Sequence, residues 1–149
     1  MKAMETLLWS IALPGFGQLL NRKYIKGIVF IFLELLINTQ SQFNEAIWLS
    51  FLGRTYEAAN IVKINWLMFY PCLYFFTLWD AFKDAGGGQT PYSFLPFVCS
   101  AYSVTVGLIY SFDVTIAGIF FGPIWLPILS VIPGVAIGRL LQILLLKWK

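Results

Sequence analysis

Residues 13–27 read Leu-Pro-Gly-Phe-Gly-Gln-Leu-Leu-Asn-Arg-Lys-Tyr-Ile-Lys-Gly. Pro14, Gly15 and Gly17 break one apolar run, and Arg22, Lys23 and Lys26 close it before a second run opens at Ile28. Proline lacks a backbone donor and glycine permits tight approach, so such a break is tolerated at membrane depth only where other protein or water covers it. The basic tip then belongs on the cytoplasmic side. The stretch is predicted to be a hairpin at a membrane surface, with Pro14, Gly15, Gly17, Gln18 and Gly27 as its structural residues.

The rest of the chain agrees with a membrane setting. Of 149 residues, 59% are hydrophobic and only 11% charged, with no histidine; soluble domains carry about 25% charged residues. Solid apolar runs favour helices over the alternating segments of a barrel. The expected fold is therefore an all-α, polytopic membrane helix bundle in a single domain, residues 1–149, with four to five membrane segments. The net charge of +3 is absorbed by the positive-inside pattern and gives no reason to expect nucleic acid.

Residues 7–20 are too short to cross as a straight helix, spanning about 21 Å against a hydrocarbon core of about 30 Å. They either re-enter or cross with the help of residues 2–6, and the sequence leaves both open. The predicted hairpin covers residues 7–43. Residues 44–63 are predicted to form an extracytoplasmic loop with a short interfacial helix anchored by Trp48 and Phe51. Helices are expected over 64–82, kinked by Pro71, and over 94–112 and 114–146, the last after a short lead-in piece. The carboxyl terminus, Lys147-Trp148-Lys149, is expected in the cytoplasm. The amino terminus has no small-x-small cleavage site before Pro14 and reads as retained.

Two acidic positions stand out. Asp80 and Asp84 share one helix face at the expected carboxyl end of 64–82, where the helix dipole disfavours acids unless a cation meets them. Arg22, Lys23 and Lys26 are the cations that the topology brings closest, so an ion-pair tie between hairpin and helix is expected; the alternative is a solvated acid beside Lys83. Glu34 is the only acid well inside an apolar run. It lines a cavity or path, or else lies at the outer interface one turn before Asn38.

Pro14-Gly15-Phe16-Gly17-Gln18, followed by Tyr24 and Lys26-Gly27 and later by Asp80-Ala81, resembles a class of small bacterial multi-pass membrane proteins similar to the TM-two domain family. The likeness covers about half the chain, residues 13–85, and departs at Asn21-Arg22, where such proteins often carry a glycine. It implies architecture and a bacterial plasma membrane location more than an activity. Without histidine there is no Ser-His-Asp or Cys-His arrangement, Cys72 and Cys99 read as small hydrophobes, and no cofactor, metal or enzymatic activity is expected. The expected role is an accessory or scaffolding subunit that meets the lipid bilayer and another membrane protein or itself. The alternative is a small oligomeric channel or transporter with a path near Glu34.

Overall fold

The structure, a computed structural model, describes residues 2–148. Lys149, part of the expected cytoplasmic end, lies outside them. The chain is all-α apart from one two-stranded hairpin. Its elements are α1 (Lys2–Ala12), α2 (Phe16–Leu20), α3 (Tyr24–Ser41), α4 (Phe43–Phe51), α5 (Thr55–Ile61), α6 (Ile64–Leu67), α7 (Tyr70–Asp84), α8 (Leu95–Tyr110), β1 (Thr115–Ile116), β2 (Ile119–Phe120) and α9 (Gly122–Lys147).

Among the described residues, α3 and α9 are long and apolar enough to cross a membrane. A third candidate is the pair Thr55–Ile61 and Ile64–Asp84, bent by 88° at its break. Helix α8 is apolar but shorter.

Several expected boundaries change. Residues 7–20 are two helices, because Pro14 removes a donor and Gly15 turns the chain at φ +97°. Residues 44–63 are no open loop. Helices α4 and α5 occupy them, and Ala46, Leu49 and Ala58 pack with Ile124 of α9 into a small core. The run 64–82 breaks at Met68-Phe69, ahead of Pro71, which sits in the first turn of α7 where its missing N–H costs nothing. The expected lead-in piece at 114 is the antiparallel pair β1–β2, turned by Ala117 and Gly118 at positive φ. Pro127 and Pro133 both lie inside α9.

Helix α9 runs against α8 through small residues. A Cβ on Gly134 would stand 2.6 Å from the Ser100 Cα, and one on Gly138 would stand 2.5 Å from the Pro96 Cα. Side chains at these positions would force the two backbones apart, which is why small residues recur where membrane helices meet closely. On the other side of α8, Phe97 packs on Trp79 and Phe82 of α7.

Candidate functional site

The hairpin and the carboxyl end of α7 form one junction. Gly17 sits where a Cβ would collide with Ser10 Oγ and lie 2.8 Å from the Ala81 Cβ and 3.0 Å from the Thr6 Cγ2. Helices α1, α2 and α7 therefore meet at a point that only glycine fits. A Cβ on Gly15 would lie 2.7 Å from the Gly27 carbonyl oxygen, and one on Gly27 would lie 2.5 Å from Leu19. Each glycine of the motif thus closes a specific contact.

Polar groups fill the rest of the junction. Gln18 is fully buried, and its amide donates to the Thr77 carbonyl at 2.9 Å and to Asp80 Oδ2 at 3.0 Å. The Asn21 amide donates to the Ala81 carbonyl at 2.8 Å. Lys26 Nζ donates to Asp80 Oδ1 at 2.7 Å and to Asp84 Oδ2 at 3.1 Å. The cation offsets two carboxylates set against the negative end of the α7 dipole. Side-chain amides use spare lone pairs of carbonyls near the helix end.

Of the three expected cations, Lys26 alone makes the tie. Among the described residues neither Arg22 nor Lys23 enters an ion pair, and both are exposed. They lie in the α2–α3 turn, where Arg22 adopts φ +61°, whereas Lys26 lies in the first turn of α3 and pairs with α7. Gln18 and Asn21 as partners of α7 went unread in the sequence. The available signal was two amides placed in the hairpin whose basic residues were already matched with Asp80.

The same junction fixes the course of the chain. Thr6, midway along α1, and Asn21, just after α2, both come near Ala81, while the Ile11 carbonyl accepts from the Tyr74 hydroxyl at 2.9 Å. Helices α1 and α2 thus both lie along α7.

Glu34 of α3 meets Tyr70 at the amino end of α7. It is 6% exposed, and its Oε1 accepts from the Tyr70 hydroxyl at 3.1 Å while Oε2 has no protein partner. One turn on, Asn38 holds Asn44 at the start of α4, through Nδ2 to Oδ1 at 3.1 Å and through Oδ1 to the Asn44 N–H at 3.0 Å. Tyr70, Tyr74, Thr77, Asp80 and Asp84 follow one another at spacings of three or four, which places these polar residues on one face of α7.

Away from this face, Arg139 Nη1 donates to Gln142 Oε1 at 3.2 Å, and the buried Gln142 donates to the Pro91 carbonyl at 3.2 Å. The Gly134-x-x-x-Gly138 spacing behind the α8–α9 contact is present in the sequence. Pro14-Gly15 and Pro133-Gly134 do different jobs: the first opens a break, and the second lies within a continuous helix.

Chemically the junction is an arrangement for holding. Its cation is shared between two acids and its amide NH2 groups are engaged, while the buried Gln18 Oε1 and Asn21 Oδ1 have no partner. Among the described residues no three His, Cys, Asp or Glu side chains gather as a metal ion would require, and Cys72 and Cys99 are free. Comparison with protein-family models, with curated proteins and with solved structures found no match.

Proposed function

We propose that this chain is a non-enzymatic multi-pass protein of a bacterial plasma membrane that acts as an accessory or scaffolding subunit of a membrane complex. In this reading α3, α6–α7, α8 and α9 cross the bilayer, and α1–α2 dip into it and return. Basic residues at the α2–α3 turn, at Lys83 and at Lys147 put the carboxyl terminus in the cytoplasm. The resemblance of the hairpin to the TM-two domain family agrees with this architecture.

One observation carries the functional reading. Lys26, Gln18 and Asn21 of the hairpin are spent on holding α2 and α3 to α7, while the long outer face of α9 is apolar. Ile132, Ile137 and Leu140 of α9 are at least half exposed. Gly134 and Gly138 do not supply the surface for a partner, because α8 already covers them; the exposed aliphatic face of α9 is the remaining candidate.

The test is a mild-detergent pull-down of the tagged chain from its native membrane, repeated with Ile132, Ile137 and Leu140 replaced together by alanine. A stoichiometric membrane companion that is lost with the triple variant supports the subunit role. A companion-free oligomer would overturn it. That outcome favours the channel or transporter reading, which draws support from the unpartnered Glu34 Oε2 and is tested by solute flux in vesicles with Glu34→Gln.

A further inference from the structure

We infer that the crevice between the two halves of the bundle binds one acyl chain of a membrane phospholipid. The crevice has a volume of about 430 Å³ and lies between α1, α4, α7, α8 and α9, towards the end of α7 opposite the Lys26–Asp80 junction. Ile11, Tyr70, Tyr74, Val104, Pro127 and Val131 are among its walls. Tyr70 and Tyr74 bring the hydroxyls, and both are already committed, one to Glu34 and one to the Ile11 carbonyl. The walls therefore offer no free donor and no charge to an ion, a polar solute or an extended peptide, whose backbone groups need partners.

The volume narrows the occupant further. A helix with its side chains is about 11 Å across, so this space would take less than about one turn of it. Water fits poorly as well. At about 30 Å³ each, roughly fourteen molecules would enter, and each needs two to four polar partners that the walls lack. A flexible hydrocarbon chain needs none. The rim favours a chain from the surrounding lipid over one delivered from solution, since Ile11, Phe51 and Ile128 line the crevice and are also exposed on the apolar outer surface, making the two continuous.

The inference rests on the membrane reading and is independent of the subunit role. It is tested by reconstituting the full chain in phosphatidylcholine vesicles doped with a phospholipid that carries a diazirine on its acyl chain, followed by photolysis and peptide mapping. Label is expected on the crevice walls around Pro127 and Val131 as well as on the outer face of α9 at Ile137 and Leu144. Two separate filling variants, Val131→Phe and Ile47→Phe, are expected to abolish the crevice label and leave the outer label intact. Label on the outer face alone would overturn the acyl-chain site. Crevice label that persists in both filling variants would also overturn it, and label nowhere would overturn the membrane reading beneath it.

Discussion

Replacing Asp80 separates the two interactions that hold the hairpin to α7. Asp80→Ala removes the acceptor for the fully buried Gln18 amide and one carboxylate of the Lys26 pair. A buried donor left unpaired costs about 1–3 kcal/mol. The ion pair adds less than about 1 kcal/mol, because the Lys26 side chain is 46% exposed and keeps Asp84. The sum is about 1–4 kcal/mol. Asp80→Asn retains an oxygen for Gln18 but turns its NH2 toward Lys26 and loses that pair, and Asp84→Ala loses only the weaker pair, so each is expected to cost about 1 kcal/mol or less. Unfolding in mixed micelles with increasing SDS, followed by far-UV circular dichroism, reads all three on one scale. The order expected is Asp80→Ala well above Asp80→Asn and Asp84→Ala. Equal costs for Asp80→Ala and Asp80→Asn would refute the reasoning, because charge would then be the whole effect.

Three further outcomes follow from the same contacts. Gly17→Ala is expected to destabilise the chain by about 1–3 kcal/mol by overpacking, and Ser10→Gly, which removes the group that the new methyl strikes, is expected to recover part of that loss; strict additivity would count against the contact. Tyr70→Phe leaves Glu34 without a protein partner and is expected to cost about 1–2 kcal/mol in SDS titration, whereas Glu34→Gln keeps an acceptor for Tyr70 and is expected to cost less. Gly134→Ala sets a methyl against the Ser100 backbone and is expected to lower stability by about 1–3 kcal/mol, while Val135→Ala on the exposed side of the same helix is expected to change little; equal losses would deny the close α8–α9 approach.

The features legible in the sequence were those written as local breaks and charges. Pro14-Gly15 marked a turn because proline and glycine act on the backbone they belong to, and Asp80 with Asp84 called for a cation because the dipole of their own helix disfavours them. Which cation answered was a matter of tertiary geometry. Arg22, Lys23 and Lys26 are equivalent by composition, and only the turn at Asn21-Arg22 decides that Lys26 faces α7. The course of α1 was similarly hidden, since residues 7–20 have one length and hydropathy whether they cross or return. Both Thr6 and Asn21 come near Ala81, which supports the returning course proposed above. Residues 44–63 combine both characters: Asn44, Glu45, Glu57 and Asn60 lie on exposed faces of α4 and α5, while Ala46, Leu49, Ser50 and Ala58 form the buried side. The β1–β2 pair is too short to show a period.

The returning hairpin is the claim on which the architecture turns, and cysteine accessibility tests it most directly. In a background with Cys72→Ala and Cys99→Ala, single cysteines at Lys2, Lys23, Lys83, Asn44 and Asp113 are exposed in intact cells to a membrane-impermeant maleimide. The account predicts that positions 2, 23 and 83 are all protected and that positions 44 and 113 are labelled. Labelling at position 2 together with 113, while 23 stays protected, would mean that α1 crosses the bilayer and would contradict the account.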